Sequence, residues 1–357
     1  MNVKQTFTFL FILIGFLGYG QVQDTTKKVN FAFVPLVNYS STLGIKLGTM
    51  GQLYYKVNQN DAISPSSSTG LGVMYTTNNS YFLALFQRLY LNEDRWRFLA
   101  ATGLGNFNYQ YWQDLPFNSG GFIGFGTGAN FGFLRMERKV YKQLYVGAIG
   151  IISKNVTDYD IPDFFPDSLK TDERNMNCLG YLINFDRREH QVNPYGGYNI
   201  ELKNTFYRTW MNSGNNFENV EFTYNHFYQI KNERNILATR VKAAIATGDV
   251  PFQGQSVVGQ DDIRGYTKGK YRANQVYAVQ AEYRWRFHEK MGMVGFAGLA
   301  SAVDQIGDVF NSEILPGAGV GFRYMMIPKE RINVGFDVAK GKGDWGLYFR
   351  IGESFGR

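Results

Sequence analysis

Residues suited to catalysis are few and scattered in this chain. The three histidines, His190, His226 and His288, fall far apart rather than at metal-ligand spacing. Cys178, the single cysteine, opens an apolar stretch and reads as a small packed side chain rather than a nucleophile. Neither a phosphate loop nor a His-Glu-x-x-His pair occurs. Gly124-Phe-Gly-Thr-Gly128 has the glycines of a dinucleotide loop, but it lies inside an alternating stretch with no helix after it. The expectation is a protein without catalytic residues, metal site or cofactor. What the sequence does supply is charge of both signs at every second position. In Asn274–His288 one face carries Gln280, Glu282, Arg284, Arg286 and His288, and the other Tyr277, Val279, Ala281, Tyr283, Trp285 and Phe287. The chemistry open to such a row is ion pairing in a confined, hydrated space.

Long β-strands must hold these rows. Alternation recurs in Arg331–Lys340, in Trp345–Gly352 and in Tyr198–Lys203. Composition points the same way: 357 residues, 17% aromatic, 19% charged, 40 glycines and a formal net charge of +7. So much aromatic and so little charge exclude extended disorder. The lone cysteine excludes a disulfide scaffold. Basic residues are scattered rather than clustered, so no nucleic-acid partner is expected. Past the first twenty residues no apolar run approaches the ~18 residues of a spanning helix. A soluble sandwich would also alternate, with its apolar face inward. Three features favour a transmembrane β-barrel instead: strands longer than the roughly 5–6 residues usual in globular sheets, aromatics at strand ends (Phe107–Trp112, Trp285–Phe287, Trp345), and polar faces of mixed charge.

Sixteen strands are predicted, at 31–39, 43–57, 69–77, 80–90, 95–109, 122–137, 141–153, 178–187, 195–209, 217–229, 234–247, 274–288, 291–302, 315–326, 331–340 and 344–352. Tight connectors are placed at Glu93-Asp94, Lys139, His190–Asn193, Lys231–Glu233, Glu289-Lys290 and Pro328–Glu330. Long ones are placed at 110–121, 154–177, 248–273 and 303–314. Short turns on one side and long loops on the other suit a barrel with both ends in the periplasm. Met1–Gly20 reads as a secretory signal, with Lys4, the apolar stretch Phe9–Leu17, and Gly18 and Gly20 before cleavage at Gln21. Residues 21–357 then form one barrel domain in the outer membrane of a Gram-negative bacterium.

Four motifs in order carry a resemblance. Gly259-Gln-Asp-Asp-Ile-Arg-Gly-Tyr266 precedes a strand ending Ala281-Glu-Tyr-Arg-Trp-Arg-Phe287. Gly319-Val-Gly-Phe-Arg-Tyr324, Phe336-Asp337 and Tyr348-Phe-Arg-Ile-Gly-Glu-Ser-Phe355 follow. The set resembles the BamA/TamA-like outer-membrane barrels, the bacterial surface antigen family, whose sixth outer loop carries V-R-G-[FY]. Ile263, Arg264, Gly265 and Tyr266 stand at those positions. The resemblance implies a fold that is all-β: a 16-stranded antiparallel transmembrane β-barrel with this extracellular loop folded into the lumen. It also implies a carboxylate partner for Arg264 on the strand after next. There the sequence departs, because Phe296-Ala-Gly-Leu-Ala300 puts Gly298 where the family has Asp. A buried arginine needs a charge-assisted partner, and Glu282 and Asp337 are the candidates. The ten residues Gln21–Asn30 leave no space for a POTRA domain, so a member without POTRA domains is expected.

The first strand contains Pro35, which cannot donate to a ladder and is tolerated at edges or bulges. The last contains Gly346 and Gly352. Pro35, Gly346 and Gly352 therefore mark a candidate seam. By resemblance the function is to assist protein or lipid insertion or passage at the outer membrane. A passive porin-like channel, or a scaffold barrel binding another membrane protein, are the competing readings. The partners implied are outer-membrane lipid and other outer-membrane proteins or translocated substrates, with monomer and homodimer both open.

Overall fold

The computed structural model describes residues 29–40, 44–115, 118–161, 166, 170–259, 262–266 and 270–355; the predicted leader Met1–Gly20 lies outside them. The first seven strands are β1 (Val29–Ser40), β2 (Gly44–Tyr55), β3 (Ser67–Thr76), β4 (Tyr81–Leu91), β5 (Trp96–Leu115), β6 (Asn118–Tyr141) and β7 (Leu144–Asp160). Next come β8 (Thr171–Asn175), β9 (Cys178–Asp186), β10 (Gly197–Tyr207), β11 (Phe217–Gln229) and β12 (Asn235–Gly248). A two-residue pair, β13 (Ser256–Val257) and β14 (Arg272–Ala273), stands off the main sheet. The last five are β15 (Gln275–Trp285), β16 (Met291–Val303), β17 (Leu315–Ile327), β18 (Ile332–Gly341) and β19 (Asp344–Ile351). No helix among the described residues is long and apolar enough to cross a membrane.

Seventeen strands form one antiparallel sheet in which sequence neighbours pair. Each of the sixteen predicted ranges overlaps a strand, and β8, β13 and β14 are additional. β8 and β9 lie in tandem along one edge of β7: Lys154 faces Asn175, and further along Ile151 faces Cys178. The segment 154–177, read from sequence as a loop, therefore contains strand at 154–160 and 171–175. So does 110–121, because the β5–β6 ladder runs on through Trp112↔Phe122 to Leu115↔Asn118. There, glycines face amide residues (Asn108↔Gly126, Gln110↔Gly124, Gln113↔Gly121), and neither member of such a pair carries the apolar signature that alternation relies on. The tight turn assigned to Lys139 sits instead at 142–143, with Lys142 at φ +41°.

Exposure along the strands is inverted relative to a soluble sheet. On β15, Val279, Tyr283 and Trp285 are 47%, 41% and 49% exposed, while the alternating Gln280, Glu282 and Arg284 are buried. Leu83, Leu85, Leu104, Leu134, Val320 and Phe322 are exposed in the same manner. Period-2 geometry forces this outcome: once one face is turned away from bulk solvent, every second residue goes with it. A row of exposed large apolar side chains is costly in water, so the outer surface suits an apolar surrounding.

The first and last strands meet differently from the others. β1 pairs with β2 along its whole length, including Pro35 opposite Thr49. It meets β19 at one position, Ser40 opposite Gly346. Toward the other end, Ala32 and Tyr54 pack against Ile327, Ile332 and Ile351. Ala32 and Tyr54 belong to the buried face of β1–β2. Ile332 and Ile351 alternate with Asn333 and Arg350, so they belong to the opposite face of β18–β19. The two ends of the sheet overlap there. Gly352 is not part of the last strand: at φ +84° it turns the chain, and its N–H donates to Asn333 O at 2.6 Å. The end of the Tyr348–Phe355 motif is carried off the strand by this turn. Phe355 is fully buried against Tyr195, Phe227, Ile236 and Ala238.

Turns on the side of the N-terminus are held by side chains. In the 56–66 connector Asp61 accepts the N–H groups of Ile63 and Ser64 and the Ser64 hydroxyl, which hold its carboxyl below the usual carboxylate range. In the 187–196 connector His190 Nδ1 accepts the N–H groups of Val192 and Asn193 at 3.2 and 3.3 Å. That role requires a neutral ring, and burial together with the nearby Arg331 charge lowers its pKa to about 4. The unfolded ring, near 6.5, binds its proton first as pH falls. The His190 contribution is thus complete above pH 6.5 and lost as pH drops toward 4. Amide exchange at Val192 and Asn193 should accelerate over that window, and His190→Ala should abolish the pH dependence.

Candidate functional site

β12 ends at Gly248, and the chain leaves the sheet for 26 residues before β15 takes it up again. The β13–β14 pair, with Val258 N–H donating to Tyr271 O at 2.9 Å, closes the neck of this excursion. Both its limbs are anchored. On the first, Gln253 Nε2 donates to Thr157 Oγ1 at 3.1 Å and Asp172 Oδ2 at 3.2 Å. Phe252 meets Phe125 edge-on, and the Arg272 guanidinium lies 3.7 Å from the Phe252 ring centroid.

The second limb crosses the buried face of β15–β19. Ile263 and Tyr266, almost fully buried, pack with Val258, Val276, Ala278, Ala300 and Leu315. Tyr266 OH donates to Pro316 O at 2.7 Å and accepts Lys342 N–H. Gly265 N–H donates to Tyr348 OH at 2.9 Å. Gly265 has φ +108°, and a Cβ there would lie 2.6 Å from the Lys340 carbonyl carbon. Only glycine lets the loop approach the β18 backbone this closely.

Arg264, between these anchors, has no exposed surface. Its guanidinium donates to Asp337 Oδ2 at 2.7 Å, to Gln280 Oε1 at 3.0 Å and to Glu282 Oε2. Its plane lies over the Phe296 ring, 3.3 Å from the centroid. The structure thus brings Arg264, Glu282 and Asp337 together. Gly298 carries no partner: a Cβ there would lie 2.5 Å from Val279 O. The positions missing from the sequence reading are Gln280 and Phe296. Gln280 shares a face with Glu282 in the strand pattern, whereas nothing in the sequence marks Phe296 as an arginine platform.

The two carboxylates also serve the sheet itself. Glu282 accepts from Arg284 Nε at 2.8 Å. Asp337 accepts from Arg323 and lies 3.2 Å from Arg350 Nε. Glu353, carried inward by the Gly352 turn, accepts from Arg323 Nε at 2.8 Å and from Asn333 Nδ2 at 2.6 Å. Four arginines therefore share three carboxylates. Of the seam residues, Gly346 stands at the Ser40 bridge, Gly352 feeds Glu353 into this cluster, and Pro35 pairs with Thr49 on β2. A second cluster, not anticipated from sequence, joins Arg97 to Asp94 and Asp186, and Asp186 to Arg188, with Tyr145 beneath Arg97. The tail also spells G-x-S-x-G across Gly352–Gly356. Ser354 is buried, and among the described residues no histidine lines the cavity it borders, so the pattern lacks the general base of a nucleophile elbow.

The Omp85 superfamily domain matches residues 106–355. The chain belongs to the Omp85 superfamily. Among solved structures it is similar to BamA from Haemophilus ducreyi lacking POTRA domains 1–3, with a TM-score of 0.57 and 13% identity over 91% of this chain and 70% of that one. It is also similar to CdiB from Acinetobacter baumannii (TM-score 0.59, 12% identity, 91% and 60% covered) and CdiB from Escherichia coli (0.58, 11%, 90% and 62%). The chain thus spans less than two thirds of either CdiB chain. No curated protein matches it in sequence. At these identities the likeness is one of fold.

Removal of either side of the Arg264 contact should have unequal effects. Asp337→Ala leaves the buried Arg264 and Arg323, and the partly buried Arg350, short of one carboxylate and should cost roughly 3–5 kcal/mol. Arg264→Ala leaves Glu282 with Arg284 and Asp337 with Arg323, and should cost clearly less. Unfolding in detergent, followed by gel mobility against temperature, compares the two; equal losses would contradict this arrangement.

Proposed function

We propose that this Omp85 protein is an outer-membrane β-barrel that assists the insertion or passage of proteins or lipids, with the 249–274 segment held in its lumen as a removable plug. Counting β8 and β9 as one position, the sheet has sixteen, an even number as a single-chain barrel requires. The exposed apolar face then meets outer-membrane lipid and the buried charged face meets the lumen. Met1–Gly20 would direct the chain there, and other outer-membrane proteins or translocated substrates would be its partners.

The observation that carries the reading is the sharing at Arg264. A loop meant only to brace the wall would be matched by carboxylates of its own. Here both carboxylates keep a wall arginine when the loop departs, so its withdrawal exposes one arginine to water and strands no buried carboxylate. The overlap of β1–β2 with β18–β19, bridged at a single position, supports passage at the wall.

Conductance in planar bilayers tests the plug. The intact chain should conduct little, and deletion of 255–270 should open a steady pore. A large steady pore in the intact chain would favour the porin-like reading, and unchanged conductance after deletion would refute plugging. The lipid-facing assignment has its own test. Val279→Arg should cost about 2–4 kcal/mol of folding stability in bilayers if that position lies near mid-membrane, measured by denaturant titration in vesicles.

A further inference from the structure

A cavity of about 440 Å³ lies between β2, β10–β12 and β19, on the buried face of the sheet. Charged side chains of both signs line it: Glu201, Glu221 and Glu353, with Arg240, Lys242 and Arg350. The carboxylates are already matched. Glu201 receives both terminal nitrogens of Arg135, Glu221 receives Lys203 at 2.9 Å, and Glu353 receives Arg323. Lys242 is matched as well, donating to Asp262 at 2.7 Å.

Arg350 differs. Among the described residues its one ionic contact is Nε to Asp337 Oδ2 at 3.2 Å, without hydrogen-bond geometry. Asp337 is already engaged by Arg264 and Arg323. The terminal nitrogens of Arg350 have no hydrogen-bonding partner among the described residues. The buried Ser354 hydroxyl, in the same wall, has none either. A guanidinium presents paired N–H groups matched to a carboxylate or phosphate. A third arginine on one carboxylate is costly unless something else answers it.

We infer that this cavity binds an oxyanion, a carboxylate or phosphate group, seated on the Arg350 guanidinium. The excess cation and unmatched donors exclude a metal ion or an amine as the favoured occupant. Access is from the side opposite the exposed Trp345 on the same strand, so the bound group enters through the aqueous interior. The site needs the 249–274 segment seated as it is here, with Arg264 on Asp337 and Asp262 on Lys242, but not its removal.

Calorimetry on the full-length protein in a neutral detergent, with inorganic phosphate added at constant ionic strength, tests the inference. The wild type should bind, Arg350→Gln should bind at least about tenfold more weakly, and Arg350→Lys should fall between. Without phosphate, Arg350→Gln should be at least as heat-stable as the wild type, because a crowded cation has been removed. A parallel arm uses micelles doped with phosphatidylglycerol; heat stabilisation of the wild type there alone, lost in Arg350→Gln, identifies a lipid headgroup as the source and also supports the site. Undiminished phosphate binding by Arg350→Gln, lower stability of that variant without phosphate, or no response in either arm would overturn it.

Discussion

A guanidinium wholly removed from solvent constrains everything packed around it. Arg264 sits where an unpaired charge would be costly to keep, and four features of the fold answer that cost. β15 supplies Glu282 and Gln280, β18 supplies Asp337, and β16 supplies the Phe296 ring. Each of these acceptors comes from a different register position, so the site exists only when neighbouring strands are in register. A slip of one residue on β15 would carry Glu282 to the exposed face and leave Ala281 or Tyr283 facing the arginine.

The charge cluster extends beyond the loop because arginines outnumber carboxylates in it. Glu353 reaches Arg323 only through the turn at Gly352, which takes the C-terminal residues off the last strand. That diversion couples two regions that sequence presents separately: the buried cluster beneath the loop and the ends of the sheet. The last strand gives up ladder pairing with β1 beyond Ser40, and apolar contacts of Ala32 and Tyr54 with Ile332 and Ile351 take its place. Such packing is non-directional and tolerates sliding better than a hydrogen-bonded ladder does.

Much of the fold is legible in the sequence. Strand positions followed from period 2, since alternation in segments such as Asn274–His288 is strong and uninterrupted. It failed at 110–121 and 154–177, where glycines, polar residues and aromatics intermix and a hairpin extends the ladder. Arg264 and the two carboxylates facing it were accessible by motif and by strand parity. Phe296 was not, because a phenylalanine on a strand has the same sequence signature whether it meets lipid, a neighbouring side chain or a cation. The Arg97–Asp94–Asp186–Arg188 cluster was missed because its members come from β5, β9 and two turns, joined by no local pattern.

The sequence by itself determined the alternation of apolar and charged residues, and with it an all-β sheet having one face for each. It also determined the special chemistry of single positions, such as the glycine after Arg264 that permits close approach to a backbone. Tertiary structure alone decided which carboxylate answers which arginine, that the tail turns inward, and that the sheet ends overlap. Those outcomes depend on distances between segments far apart in the chain. Such distances follow from the register and curvature of the whole sheet, which no local window of residues encodes.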